Sequence, residues 1–335
     1  MRTPVSVAVV GAGSWGIHVA RIIDSLPQAE LRYLHDRSQR AEFRLRSMFR
    51  GVRIVSSMDD LLADEGLDAV VLATPPSAHY EGARTVLQAD KHLLVRPPLA
   101  LGHAEAVELA RDAESRRRRM TVAYRLPFSP AVRKLRELLD RGALGELYYI
   151  DLTQHDPGAR RRARNVLWCL GTEQVALIAQ LLVDEPVELT ARGESYTEPG
   201  IVEVAHCELR FATGVWARMH LSWLGPEQTY RLTVIGAERT AVIDRNRHGF
   251  ELRIHQGEGD VVLPRLSRDE PLRLACEHFL RSLSSRSYSF AATREGARVV
   301  GVLETLQVSM DHAGAAETLG AREDATIVPI RGSVA

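Results

Sequence analysis

The sequence predicts an α/β fold in two parts. An N-terminal doubly wound parallel sheet comes first, then a C-terminal α/β domain whose open sheet is mostly antiparallel. Three patterns carry this. A β-branched run, Val5–Val10, leads into Gly11-Ala12-Gly13-Ser14-Trp15-Gly16 and then into an amphipathic segment with Ile17, Ala20, Ile22, Ile23 and Leu26 apolar. Strand and helix patterns alternate as far as Tyr124, the rhythm of a parallel sheet with right-handed crossovers. From residue 187 to 244 strands follow one another without helices between them, which indicates an antiparallel or mixed open sheet.

In order, the first part reads as strand 5–10, helix 14–25, strand 30–35 and helix 40–49. Ser56 or Ser57 then caps a helix before Asp59-Asp60. Residues 69–73 are apolar throughout, as in a strand covered on both faces. Helix 80–88, strand 92–95, helix 103–117 and strand 120–124 follow, with Thr74-Pro75-Pro76 and Arg96-Pro97-Pro98 as breaks after two of the strands. Beyond residue 125 come helix 129–141, strand 148–153 and an apolar helix over 167–182. Strands 187–193, 202–211, 215–223, 230–235 and 240–244 follow, with 252–256 a further candidate and Ala212-Thr213-Gly214 a hairpin turn. Helices 271–283 and 293–312 and a strand over 325–330 complete the pattern. The expected domains are 1–124 and 125–335.

A chain of 335 residues is long enough for two domains and a sizeable core. Lys+Arg and Asp+Glu are both 43, so the net charge is zero, which argues against nucleic acid or a membrane surface as partner. Cys169, Cys207 and Cys276 are odd in number and far apart, so no disulfide framework and no metal site are expected. No apolar run approaches the roughly 20 residues of a membrane span. The N-terminus runs straight into a strand without a leader pattern, so a cytoplasmic protein is expected.

The strand–turn–helix around Gly11, Gly13 and Gly16 has a specific chemistry. The first glycine permits the sharp turn, the second lets a pyrophosphate approach the backbone, and the third lets helix and strand pack closely. Ser14, Trp15 and Gly16 open the helix, whose free N–H groups and positive dipole end suit a phosphate. Asp36 ends the second strand, twenty residues after Gly16, where an acidic side chain grips the adenosine ribose hydroxyls. That carboxylate repels a 2′-phosphate, while adjacent Arg37 attracts one. The cofactor is expected to be NAD or NADP, with NAD favoured.

With these residues in place the chain resembles the glucose–fructose oxidoreductase, inositol dehydrogenase and rhizopine-catabolism (Gfo/Idh/MocA) family. The likeness covers nearly the whole length. It includes the glycine turn, Asp36-Arg37, Ala73-Thr74-Pro75-Pro76-Ser77-Ala78-His79, Lys91-His92-Leu93-Leu94-Val95 and Leu209-Arg210-Phe211-Ala212-Thr213-Gly214. Glu277-His278-Phe279-Leu280 fits as well. The resemblance implies a Rossmann domain followed by an α/β domain whose open sheet face carries substrate contacts and often a subunit interface. It further implies a sugar, cyclitol or ketone-type substrate and a homo-oligomer, and it places the Thr74-Pro75 turn beside the cofactor, with His79 either beside it too or simply beginning the next helix; Arg96, at the end of the next strand, is a further cofactor candidate.

The family's catalytic motifs do not carry over. Its usual Glu-Lys-Pro reads Arg96-Pro97-Pro98 here, so Pro97, which has no side-chain donor, holds the lysine's place. Its Asp-x-Gly-x-His-x-x-Asp reads Cys169-Leu170-Gly171-Thr172-Glu173-Gln174-Val175-Ala176, with Glu173 in the histidine's place. The candidates left for proton handling are Glu173, His155, Tyr124 and water. Glu173 could instead be an ion-paired structural residue, with Arg96 as a candidate partner, and Cys169 reads as an inert thiol. The Arg160–Arg164 cluster could bind an anionic group. The expected function is an NAD(P)-binding oxidoreductase with a remodelled active site. The alternatives are a non-redox enzyme (cyclase, isomerase or lyase) of specialised metabolism on the same scaffold, or a catalytically silent binding subunit.

Overall fold

A computed structural model of the chain describes residues 4–158, 164–246, 249–257, 259–284 and 291–319. Contacts divide it into two units. The first is built on a six-stranded parallel sheet. In chain order its elements are β1 (Val5–Val10), α1 (Ser14–Asp24), β2 (Ala29–His35), α2 (Gln39–Met48), β3 (Arg53–Val55), α3 (Met58–Leu62) and β4 (Ala69–Leu72). Then come α4 (His79–Gln88), β5 (His92–Val95), α5 (His103–Ser115) and β6 (Met120–Val122). The strand order is β3-β2-β1-β4-β5-β6. The chain runs outward from β1 on both sides, so a switch point lies between β1 and β4, and ligands bind beyond the strand C-termini there. Every residue of β4 is buried, as its unbroken apolar run requires. Ser57 caps α3 by accepting from Asp59 N at 3.2 Å.

The second unit carries α6 (Pro130–Asp140), β7 (Leu147–His155), a π-helical turn (Leu167–Gly171) and α7 (Thr172–Leu182). They are followed by β8 (Pro186–Glu194), β9 (Val204–Phe211), β10 (Trp216–Ser222), β11 (Thr229–Gly236), β12 (Arg239–Asn246), β13 (Gly249–Gln256) and β14 (Asp260–Val262). The sheet order is β14-β13-β12-β11-β7-β10-β9-β8, and only β7 with β10 is parallel. Alternation sets the two faces. Ile150 and Leu152 of β7 are fully buried, while Tyr149, Asp151 and Thr153 register against Trp216, Arg218 and His220 on the more exposed face.

The segment 167–182 is not one regular helix. Thr172 donates its hydroxyl to the Trp168 carbonyl at 2.8 Å, and Asn165 caps Trp168 N at 3.1 Å. The widened turn ends at Gly171, where a Cβ would come within 2.9 Å of Leu167 and 3.2 Å of Leu221. Such local π turns often accompany functional sites.

Two helices follow, α8 (Pro271–Leu283) and α9 (Ala291–Asp311). The first unit takes in Leu272–Val300 as well as the residues up to Tyr124, so it draws on more of the chain than a division at residue 124 alone. The reason is packing. Leu272, Cys276, Phe279 and Leu280 share one core with Val7, Val9, Val19, Ile23 and Val71. Among the described residues no helix is long and apolar enough to cross a membrane. The strand expected over 325–330, and Arg160 to Arg162 of the basic cluster, lie outside the described residues.

Candidate functional site

The glycine turn separates two requirements. Gly11 has φ +102°, and a Cβ there would meet the Ala73 backbone at 2.9 Å. At Gly16 a Cβ would sit 1.9 Å from the Gly11 carbonyl oxygen. Both glycines are therefore needed for the chain to fold. Gly13 is different: its φ is −67°, and a Cβ would meet no protein atom within 4 Å. The fold tolerates a side chain at 13, so glycine there keeps open the surface over which a pyrophosphate would lie. Gly13 is the N-cap of α1 and brings no side chain to it, which leaves the first-turn N–H groups at Ser14, Trp15 and Gly16 for a ligand.

Asp36 is half-buried at the end of β2. One carboxylate oxygen accepts from Ala12 N at 2.7 Å, the other from Ser38 N at 2.9 Å. Arg44, from α2, donates Nη2 to the Ala12 carbonyl at 2.8 Å. Both backbone groups of Ala12 are thus held by side chains, and the turn is fixed from outside itself. The carboxylate keeps lone pairs for sugar hydroxyls. Arg37 is exposed beside it. The sequence gives no signal for Arg44, because its role depends on where α2 crosses the turn.

Thr74 and Pro75 follow β4. The Thr74 hydroxyl is buried and has no hydrogen-bond partner among the described residues. Pro75 is exposed. His79, expected beside the cofactor, is instead fully buried. Its Nδ1 lies 2.6 Å from the Pro98 carbonyl and its Nε2 2.9 Å from the Thr74 carbonyl. Burial pushes its pKa below the ordinary imidazole value, with the two carbonyls opposing. Arg96 is exposed at the end of β5, its N–H bonded to the Leu72 carbonyl at 3.0 Å, and Pro97 follows it half-buried. Tyr124 is buried, at 3% exposure.

In the second unit Glu173 opens α7 with its side chain 15% exposed. One oxygen accepts from Arg125 N at 2.8 Å and Leu126 N at 3.1 Å; the other meets Arg125 Nε at 3.3 Å. Its guanidinium partner is therefore Arg125, which the sequence did not mark. Gln174 bonds Gln154 of β7, and Tyr230 of β11 registers against that same Gln154. The Tyr230 hydroxyl is buried without a hydrogen-bond partner among the described residues. Burial, and then the Glu173 charge, push its pKa well above the tyrosine range, so the hydroxyl keeps its proton and can donate it in a hydrogen bond.

His155 is next to Gln154 and so points to the other face. Its ring meets His220 edge-on at 4.8 Å, and His220 stacks on His206 at 4.3 Å. Burial and the two neighbouring rings push His220 down to about 4. The structure thus places Glu173 with Tyr230 on the α7 side of the sheet and His155 on the opposite side. Cys169 is half-buried. Arg164, the described end of the basic cluster, lies 5.8 Å over the Trp168 ring.

Two family models match. Residues 5–124 fit the Gfo/Idh/MocA oxidoreductase family model with an NAD-binding Rossmann fold, and residues 132–242 fit the Gfo/Idh/MocA C-terminal domain. The chain is 32% identical over 155 residues to inositol 2-dehydrogenase 1 of Mycolicibacterium vanbaalenii, covering 46% of this chain and 45% of that protein. The chain thus spans less than half the length of that curated relative. Among solved structures it is similar to GenD2 from gentamicin A biosynthesis in complex with NAD, with TM-score 0.83, 23% identity, and 95% and 97% of the two chains covered. It is also similar to an oxidoreductase from Agrobacterium radiobacter in complex with NAD+, L-tartaric acid and magnesium, with TM-score 0.82, 18% identity, and 95% and 99% covered. At those identities the structures speak for the fold. With both models matched in sequence along the same chain, and with a parallel Rossmann sheet and a mostly antiparallel second sheet to receive them, the chain belongs to the Gfo/Idh/MocA oxidoreductase family.

Proposed function

We propose that the chain is an oxidoreductase that binds NAD or NADP, with NAD favoured, and acts on a carbinol or ketone carbon of a sugar-, cyclitol- or ketone-type small molecule. The observation that carries this reading is Gly13: glycine stands where the fold does not need it and a pyrophosphate does. The residues present fit the dinucleotide. Gly11, Gly13, Ser14, Trp15 and Gly16 would seat its phosphates, Asp36 its adenosine ribose with Arg37 alongside, and Thr74, Pro75 and Arg96 its other half. A bound nicotinamide supplies or accepts the hydride. The Asp36 carboxylate favours NAD because it disfavours a 2′-phosphate.

Proton handling falls to other groups than the family's lysine and histidine. Pro97 has no donor to give. Glu173 is held by Arg125 and Leu126, while Tyr230 keeps a protonated hydroxyl on the same side of its sheet. His155 serves this site poorly from the other face, and Tyr124 stays a buried candidate. A second reading, a non-redox cyclase, isomerase or lyase, or a silent binding subunit, is favoured by one observation: the two residues at the usual relay positions are a proline and a carboxylate already engaged. A homo-oligomer through the open face of the eight-stranded sheet fits the half-exposed Tyr149–Trp216 stack, with centroids 5.0 Å apart. A cytoplasmic setting fits the cysteine usage.

The test is a fluorescence titration with NADH and NADPH, followed by absorbance at the nicotinamide band with a panel of polyols and ketosugars. Binding with turnover is the expected result. Failure to bind either nucleotide ends the oxidoreductase reading, and tight binding without turnover across the panel selects the non-redox one.

A further inference from the structure

His79 is a buried side chain whose two polar atoms both face backbone of ligand-side turns. Nδ1 lies 2.6 Å from the Pro98 carbonyl, in the turn after β5. Nε2 lies 2.9 Å from the Thr74 carbonyl, in the turn after β4. Both partners are acceptors. A neutral imidazole has one N–H, so in either tautomer one contact lacks its hydrogen, and burial resists the second proton. An apolar side chain would fill this buried position without that cost. What the imidazole adds is a side-chain link between the two turns that follow the paired strands β4 and β5.

The strand order says which part of a dinucleotide those turns face. Asp36 ends β2, the glycine turn ends β1, and β4 and β5 lie on the far side of β1 from β2. With the adenosine ribose at Asp36 and the pyrophosphate at the glycine turn, the nicotinamide half must extend over the ends of β4 and β5. We propose that His79 is a positioning residue that ties the Thr74–Pro75 turn to the Arg96–Pro98 turn, and so sets the wall against which the nicotinamide half of the cofactor docks. The role rests on the dinucleotide reading above. The tie holds Thr74 by its carbonyl, in a residue whose hydroxyl is buried and without a partner among the described residues.

The experiment compares two ligands by calorimetry on the full chain. NADH reaches both halves of the site; ADP reaches only the Asp36 and glycine-turn half. His79→Phe should weaken NADH about tenfold and ADP less than about twofold, since the imidazole's one hydrogen bond and a turn's orientation are lost on one side only. His79→Asn and His79→Gln each return one amide donor, near Nδ1 and Nε2 respectively, and should recover part of the NADH affinity. Destabilisation alone would lower the binding-competent fraction equally for both ligands. Equal loss for NADH and ADP, or NADH affinity unchanged in all three variants, overturns the proposal. If His79→Phe does not fold, the NADH-to-ADP ratio in the Asn and Gln variants decides it. A wild-type chain that binds neither ligand removes the dinucleotide reading, and this role with it.

Discussion

Gly13→Ala should separate folding from binding. The new methyl meets no protein atom within 4 Å, and the backbone angle of −67° suits alanine. Two small effects on stability oppose each other. Alanine is a poorer N-cap than glycine by about 0.5–1 kcal/mol, and it restricts the unfolded chain by about 0.4–1 kcal/mol in favour of folding. The net change should lie within about 1 kcal/mol. Binding has no such cancellation. The methyl would keep a pyrophosphate from the α1 N-terminus, and losing one or two charge-assisted hydrogen bonds at about 1.5–3 kcal/mol each weakens NADH roughly a hundredfold. Gly16→Ala is the control, because its Cβ would lie 1.9 Å from the Gly11 oxygen and the turn itself must break. Thermal melting and NADH calorimetry on both variants provide the measurements. A Gly13→Ala chain that binds NADH within about threefold of wild type would refute the placement of the pyrophosphate. One that melts as low as Gly16→Ala would refute the claim that the fold does not need this glycine.

Two further outcomes follow from buried polar groups. His92 accepts from Arg119 N at 2.9 Å, and burial, with Arg118 and Arg119, pushes it down to about 4. The unfolded chain, titrating near 6.5, takes up the proton first, so this contribution is complete above about pH 6.5, falls as pH drops toward 4 and is flat below; a fall from 6.5 to about 4 corresponds to roughly 3 kcal/mol. Urea unfolding of wild type and His92→Asn at pH 7.5 and 4.5 should show the variant losing less, and parallel losses would contradict the assignment. Tyr230→Phe removes a hydroxyl without a hydrogen-bond partner among the described residues, so stability should hold or rise by about 1 kcal/mol. If Tyr230 donates to the reacting oxygen, kcat/KM with a substrate found in the panel should drop about tenfold or more, whereas an unchanged rate removes it from the site.

The parts legible in the sequence are those set by local rules. β1, β4 and β5 are buried on both faces, so their apolar runs mark them without knowledge of the rest. β3 has three residues and β14 three exposed ones, too little pattern for a period to register. Asp36 was legible because its offset from the glycine turn is fixed by one strand and one helix. Arg44, Arg125 and Tyr230 were not, since each is defined by a partner 32, 48 or 76 positions away: Ala12, Glu173 or Gln154. The face of His155 was there to be read. Ile150 and Leu152 set the buried phase of β7, which puts Gln154 inward and His155 outward; the polar character of Gln154 hides the pattern.

Glu173, a candidate for proton handling in the sequence, is engaged in holding a turn of its own unit. Its carboxylate accepts from two consecutive backbone N–H groups, Arg125 and Leu126, at the start of the 3₁₀ turn Leu126–Phe128, and it is flanked by the Arg125 guanidinium. Turning it toward a substrate would leave those donors without this acceptor, at about 1–3 kcal/mol for each that finds no replacement. A proton carrier that moves in every turnover cannot also be the fixed acceptor of a turn without meeting that cost each time. Tyr230 has no hydrogen-bond partner for its hydroxyl among the described residues, and that protonated hydroxyl lies within the field of the Glu173 charge. A phenol kept protonated by burial can steady a developing oxyanion by donating a hydrogen bond, but it is too weak an acid to deliver a proton readily near neutral pH. On the oxidoreductase reading proposed above, the proton's path would call on water or on a small movement of Glu173; on the non-redox reading, electrostatic steadying by Tyr230 would not need either.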